Sequence, residues 1–328
     1  MKAWVVRQLG GPDVMAFEDV PDSPRDENAV RIAVRASAIN FPDALMVAGT
    51  YQYKPDLPFI PGAEISGEVI AAPASSSLKK GDRVMAMVTS GGLNQGGYSQ
   101  VTDARPQVVM RLPDAMPYED AAGFMLVFQT GWFGLHRRAH LQAGETLLVH
   151  AGAGGVGSAA IQLGKAAGAT VIATAGSDEK VEITQKLGAD HSITYKTQDF
   201  AEEVKKLTQG RGADVIYDPV GGDVYDRSTK CIAFEGRIVI VGFTSGRIAQ
   251  AATNHVLVKN YSVVGLHWGL YNQRAPELIP DATRSLLDLY KAGTIKPYIS
   301  ATLPLAEAPR ALAMVAGGKS TGKVILTN

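Results

Sequence analysis

Residues 146–168, TLLVHAGAGGVGSAAIQLGKAAG, limit the folds open to this chain more than any other stretch. Thr146-Leu147-Leu148-Val149-His150 is a short apolar run with β character, of the kind buried on both faces of a parallel sheet. Gly152-Ala153-Gly154-Gly155-Val156-Gly157 follows as G-x-G-x-x-G. Val156, Ala159, Ala160, Leu163 and Ala167 then recur at helical spacing, and Gly168 stands where a helix would stop. A glycine turn between a strand and a helix is the context in which this motif binds a dinucleotide. Gly152 permits the turn out of the strand. Gly154 and Gly155 carry no side chain to hold a pyrophosphate off the backbone, and Gly157 lets the helix approach the strand. The first N–H groups and the positive end of the helix dipole then face the phosphates. The competing reading is a glycine-rich structural turn.

The rest of the chain divides around this unit. Residues 1–125 read as mostly β, with short strands at 2–6, 30–38, 65–71, 83–87 and 97–101 set between Gly, Pro, Asp and Ser clusters. Strands without long intervening helices suggest a barrel-like or sandwich-like β module. From about residue 121 the pattern changes to alternation. Strands are expected at 170–174, 192–195, 214–218, 237–241 and 261–266, with helices at 178–187, 199–207 and 224–232 between them. That order argues for a doubly wound parallel sheet. Helices at 275–291 and 305–316 and a last strand at 323–326 follow. The expected division is a β domain over 1–125, a nucleotide-binding domain over 126–266, and a segment over 267–328 that returns to the β module.

Composition excludes several classes. Lys and Arg total 32, matching 32 Asp and Glu, so there is no basic footprint for nucleic acid or an anionic membrane. One cysteine, Cys231, rules out an intrachain disulfide framework and any metal site that needs two thiolates. Residues 1–13, MKAWVVRQLGGPD, hold no apolar signal-like run, and nothing is long enough to span a membrane. A soluble, cytoplasmic protein is expected.

Seven stretches together carry a family likeness: 37–42 (SAINFP), 61–69 (PGAEISGEV), 147–157 (LLVHAGAGGVG), 187–195 (LGADHSITY), 214–222 (DVIYDPVGG), 237–243 (RIVIVGF) and 321–326 (TGKVIL). In that order, over nearly the whole length, the chain resembles the zinc-independent, zeta-crystallin-like quinone oxidoreductases of the medium-chain dehydrogenase/reductase superfamily. The resemblance implies a GroES-like β-barrel domain, a Rossmann domain inserted in it, and an active-site cleft between the two. It also implies hydride transfer from NADPH to a small conjugated acceptor, often by a homodimer. A neutral, β-branched strand at 262–266 is a candidate for pairing with its own copy across such a dimer.

Zinc members of the superfamily place a Cys, a His and a second Cys where this chain has Asn40, Ala63 and Leu126. Their structural zinc loop needs four cysteines, and residues 88–98 contain none. No metal site is expected, since Zn²⁺ requires several N or S ligands at tetrahedral reach. Without a Lewis acid, reduction of an already electrophilic acceptor is the better expectation than oxidation of an alcohol.

Coenzyme choice turns on the end of the second Rossmann strand. An NAD site places an acid there for the ribose 2′-OH. Here the strand runs into Ala175-Gly176-Ser177, and Asp178 and Glu179 come later, in the first turn after a Ser177 N-cap. Lys180 in that turn opposes the helix dipole, which a 2′-phosphate would explain. The resemblance places Gly176, Ser177, Lys180 and Tyr195 around that phosphate. The other reading is a solvated Lys180 and a packed Tyr195.

The resemblance also implies that Asn40 and Thr130 approach the nicotinamide and that Gly155 and Val156 meet the pyrophosphate. Thr130 is read alternatively as a helix cap. Val241-Gly242-Phe243 and Leu266-His267-Trp268 follow strands and so fall where ligands sit in open α/β sheets. Lys323 is read as reaching the nucleotide or as a plain surface lysine. For catalysis the candidates are Tyr51, as proton donor or as a hydrophobic wall, and Asn40, as a hydrogen-bond donor to the acceptor oxygen. Tyr53 competes with Tyr51. Glu64 is read as a structural charge partner, His150 as a strand residue and Cys231 as a small buried hydrophobe.

Overall fold

The computed structural model describes residues 1–21, 26–88 and 92–328; part of the 88–98 loop therefore lies outside the described residues. The chain forms two compact units, Met1–Leu126 with Ile299–Asn328, and Val127–Tyr298. Residues 267–298, expected in the return segment, group with the second unit instead. A buried polar chain ties them there: the Trp268 indole donates to Gln129 Oε1 at 3.0 Å, and Gln129 Nε2 donates to Thr283 Oγ1 at 2.6 Å.

The first unit begins with β1 (Lys2–Val6), β2 (Met15–Asp19), β3 (Val30–Ile39), β4 (Glu64–Ala71), β5 (Arg83–Met87), β6 (Val101–Ala104) and β7 (Val109–Arg111). β1 and β2 form an antiparallel hairpin. The strand expected at 97–101 starts only at Val101. The Ser99 hydroxyl donates to the carbonyls of Gly96 and Val101 and curls the chain there. Gly96 itself adopts φ +130, which suits only glycine.

The second unit supplies β8 (Thr146–Val149), β9 (Thr170–Ala175), β10 (His191–Thr194), β11 (Ala213–Asp218), β12 (Ile232–Ile240) and β13 (Ser262–Gly265). They make one parallel sheet in the order β10-β9-β8-β11-β12-β13. This is the doubly wound dinucleotide-binding order, which reverses direction at β8. All four residues of β8 are buried, as its unbroken apolar character requires. The helix Gly155–Ala166 lies directly on the sheet: a Cβ on Gly164 would meet Val171 Cγ2 at 3.0 Å. Gly168 ends this stretch with φ +78. The helix expected at 224–232 is Gly222–Ser228, because Ile232 and Ala233 are drawn into β12, where Ile232 pairs with Ala213.

The chain then re-enters the first unit as β14 (Ile299–Pro304) and β15 (Lys323–Thr327). The unit's larger sheet runs β14-β15-β3-β4-β5-β7, with β6 also on β3. Val324 to Thr327 of β15 pair antiparallel with Ile39 to Ala36 of β3. The main core of this unit joins Val5, Phe59, Ile60, Tyr98, Leu312 and Val324, so residues from both ends of the sequence share it.

Candidate functional site

At the carboxyl end of β8 the backbone turns through Ala151, whose φ of +50 is the left-handed residue of the turn. Gly152, expected to fill that role, instead permits close packing. A Cβ there would lie 2.9 Å from Thr184 Cγ2 and 3.1 Å from Ala173 Cβ. Gly157 serves the same end against backbone, since its Cβ would lie 2.9 Å from Gly152 Cα. Gly154 differs from both: only the Ala151 carbonyl, at 3.2 Å, is near its Cβ position, and Gly154, Gly155 and Val156 are all partly exposed. No side chain caps the helix that begins at Gly155. Its first N–H groups therefore face outward from a turn that a phosphate can approach, as an anion at a helix N-terminus requires.

The next strand sets the other end of this site. β9 ends at Ala175 without an acid. Asp178 is engaged elsewhere, accepting from the Thr194 hydroxyl at 3.0 Å. Ser177 caps its helix by accepting from the Lys180 N–H at 3.3 Å. The Tyr195 phenol lies beside Gly176, its oxygen 2.7 Å from where a Cβ would be. Gly176, Ser177, Lys180 and Tyr195 thus collect at one strand end, and Tyr195 is 46% exposed rather than packed. The set fits a phosphate on the ribose better than a free 2′-OH.

Two further loops come to the same edge of the sheet. Gly242 and Phe243 follow β12, and the Phe243 ring lies over Gly221, 2.7 Å from its Cβ position. The Thr244 N–H donates to the Pro219 carbonyl at 3.1 Å, holding this loop on the one after β11. His267 is exposed, whereas the Trp268 indole is buried and engaged with Gln129, so its ring is a packing element. Thr130 is buried inside the helix Met125–Trp132, not at its start, which corrects the cap reading.

His150, expected in the strand, lies in the turn just past the end of β8. Its ring is buried, with Nδ1 2.9 Å from Thr174 Oγ1 and Nε2 2.8 Å from Ser228 Oγ. The Ser228 hydroxyl donates its proton to the Val224 carbonyl, so it accepts from the ring, and the proton of the neutral imidazole is assigned to Nε2. Burial pulls this histidine down to about 4, and it stays neutral at pH 7. Cys231 is buried as well, its thiol pushed up to about 12 by desolvation, and is not a nucleophile.

The first unit holds a separate buried polar cluster. Lys323 is not a surface lysine: it is 3% exposed, donates to Asn40 Oδ1 at 2.5 Å and pairs with Glu64 Oε2 at 3.1 Å. A buried ammonium needs such an arrangement of counter-charge and acceptor. Glu64 is the structural charge partner expected, and its other oxygen accepts the Leu126 N–H at 2.9 Å. The Asn40 amide is buried with its Oδ1 on Lys323, while its Nδ2 makes only long contacts of 3.4 Å to Ala38 O and Glu64 Oε2. Those two donors are the loosely held ones.

Asp43 escaped the sequence reading. The Asn40-Phe41-Pro42-Asp43 run is a helix start in which Asp43 Oδ2 reaches back to the Asn40 N–H at 2.8 Å. The same oxygen accepts from the Tyr98 hydroxyl at 2.9 Å, and Oδ1 has no hydrogen-bond partner among the described residues. Fully buried, the carboxyl is raised to about 6 by desolvation, against the favourable pull of Asn40, Tyr98 and Lys323. Tyr51 follows this helix, with its N–H on the Leu45 carbonyl. Its phenol is half-buried and is made less acidic by desolvation and by the charge of Asp43. Tyr53, its competitor, is 46% exposed. Among the described residues no group of three or more His, Cys, Asp or Glu side chains is placed to hold a metal ion, and no helix is long and apolar enough to cross a membrane.

Known proteins bear on both units. Residues 26–114 match the alcohol dehydrogenase GroES-like domain, and residues 155–284 match the zinc-binding dehydrogenase family. The chain is 40% identical over 332 residues to a quinone oxidoreductase-like protein 2 homolog of Nematostella vectensis, covering 99% of this chain and 88% of that one. The solved quinone oxidoreductase of Escherichia coli complexed with NADPH superposes with a TM-score of 0.92 at 29% identity, covering all of both chains. The CurK enoyl reductase superposes with a TM-score of 0.87 at 28% identity, covering 99% of this chain and 98% of that one. A glycine turn on a doubly wound sheet, a GroES-like β unit and a full-length relative at this identity agree: the chain belongs to the medium-chain dehydrogenase/reductase superfamily, beside its quinone oxidoreductase-like members.

Proposed function

We propose that this protein is an NADPH-dependent oxidoreductase that transfers hydride to quinones. The observation that carries the reading is the end of β9. No acid closes it, Asp178 is held on Thr194, and Gly176, the Ser177 cap and the Tyr195 phenol lie at that strand end with Lys180 in the next turn, which supports a 2′-phosphate there. The likeness to a quinone oxidoreductase complexed with NADPH supports it. When bound, the reduced nicotinamide supplies the hydride. The chain does the rest: Gly154 and Gly155 admit the pyrophosphate, Lys180 neutralises the ribose phosphate, and the loosely held Asn40 Nδ2 donates to the acceptor oxygen. Tyr51 Oη supplies a proton to the reduced acceptor. A zinc-independent reaction follows from this assignment, because it uses no Lewis acid.

The likeness to an enoyl reductase favours a second reading, reduction of an alkenal, enone or enoyl thioester. Both acceptors are conjugated electrophiles, so one site serves either. NADPH consumption with EDTA present, against an ortho-quinone and a 2-alkenal side by side and with NADH as control, separates them. Turnover of the quinone with NADPH is expected. Turnover of the alkenal alone moves the function to double-bond reduction, and tight NADPH binding without turnover of either points to a non-catalytic relative. We also propose a homodimer formed through β13, an edge strand whose Ser262 and Val263 are exposed. Light scattering on the eluting protein checks this, and a monomer removes it.

A further inference from the structure

The coenzyme end of the second unit carries an acid that does not suit NADPH. A carboxylate near the end of the second Rossmann strand is the group that holds a free ribose 2′-OH, and it repels a phosphate in that place. Asp178 is such a group: it lies just past the end of β9, exposed, in the first turn of the helix Asp178–Lys186. One hydroxyl sets it aside. Thr194 Oγ1 donates to Asp178 Oδ1 at 3.0 Å.

Thr194 is itself held in place. It closes β10 opposite Ala175 of β9 and is buried. Its N–H donates to Gln198 Oε1 at 3.1 Å, and its carbonyl accepts the N–H groups of Thr197 and Gln198 at 3.1 and 3.0 Å. Its branched side chain is also stiff about the first torsion. The hydroxyl therefore meets Asp178 from a fixed point, and the next residue, Tyr195, lays its phenol beside Gly176. We propose that Thr194 determines coenzyme choice: its hydroxyl ties Asp178 to β10 and keeps that carboxylate off the ribose, so that a 2′-phosphate is accepted there. This rests on the reading of this strand end as the 2′-phosphate site. Thr194 touches no coenzyme atom in this account, so it is a positioning residue acting through Asp178. Loss of the hydroxyl has two effects of opposite sign. The freed carboxylate accepts from the 2′-OH of NADH and repels the phosphate of NADPH. A loss of packing alone weakens both coenzymes together.

The test measures Kd for NADPH and NADH by fluorescence titration in the wild type and five variants. Thr194→Val keeps the shape without the hydroxyl and is expected to cut the preference for NADPH over NADH about tenfold. Thr194→Ser keeps a hydroxyl and is expected to keep the preference. Asp178→Asn alone is expected to change the preference little, because the carboxylate is already set aside. Added to Thr194→Val, it is expected to restore the preference. A preference that Thr194→Val leaves unmoved, or a loss that persists in the double variant, overturns the proposal. Thr194→Ala carries the same comparison if Thr194→Val melts below the assay temperature. Lys180→Ala separates the proposal from the reading beneath it. If Lys180→Ala loses the NADPH preference while Thr194→Val keeps it, the phosphate site stands and the role of Thr194 falls. If Lys180→Ala weakens both coenzymes equally, the phosphate site falls and the proposal with it. No acceptor is needed, so the outcome is the same whatever the protein reduces.

Discussion

Lys180→Ala deletes one charge-assisted contact to a 2′-phosphate, worth roughly 1.5–3 kcal/mol. The Kd of NADPH is therefore expected to rise by about tenfold to a hundredfold, with that of NADH nearly unchanged, as measured by fluorescence titration of both coenzymes. Equal weakening would show that Lys180 meets no phosphate. Lys323→Met leaves Glu64 buried without its cation, a loss of about 3–5 kcal/mol in the free energy of unfolding, read from urea melts. Adding Glu64→Gln to that variant is expected to recover part of it; no recovery would mean that packing, not charge, is at stake. Lys180 could be proposed from the sequence because its neighbours are local: Ser177, Asp178 and Gly176 lie within four positions. It hid the roles of Lys323 and Asp43 because their partners are remote, with Asn40 283 positions from Lys323 and Tyr98 55 from Asp43. Burial and charge pairing of that kind are set by the fold, and no local pattern encodes them.

Among the elements, the glycine turn tolerates little change. A Cβ on Gly157 would press on the backbone of Ala151 and Gly152, which cannot rotate away as a side chain can. Gly157→Ala is expected to cost about 1–3 kcal/mol of stability and to abolish coenzyme binding, by thermal melting with and without NADPH. A variant that melts and binds like the wild type would show that the helix has room to retreat. Most of the parallel strands were legible because they are apolar runs bounded by turns, and β11 and β13 are displaced by only a residue or two from expectation. β2 and β14 were not read. Both alternate between buried or half-buried and exposed positions, and β14 ends in Pro304, so neither presents a run of apolar residues. Thr130 and Gly152 show a subtler limit: packing, and not capping or turn geometry, explains where they stand.

At the scale of the whole molecule, the two units carry buried titratable groups of opposite sign. His150 in the second unit titrates near 4 when folded, against an ordinary value of 6.5, so the folded state resists its protonation. Its contribution of about 3 kcal/mol is complete above pH 6.5 and is lost as pH falls toward 4. Asp43 in the first unit is raised from 3.8 to about 6, so its contribution is complete below pH 3.8 and is lost as pH rises through 6. Unfolding followed from pH 4 to 7 is thus expected to show His150→Gln removing acid sensitivity and Asp43→Asn removing a loss at the neutral end. The same slopes in both variants as in the wild type would refute this assignment. Finally, the ammonium that neutralises Glu64 is 259 positions downstream of it, and the whole second unit is encoded between them. On the ribosome, β3 and Glu64 emerge early but wait for β15, while β8 to β13 arrive as a complete, contiguous set. Synthesis therefore finishes the coenzyme-binding unit first and leaves the other as an open-edged half-sheet with an uncompensated carboxylate. That interval is when this chain most needs a chaperone.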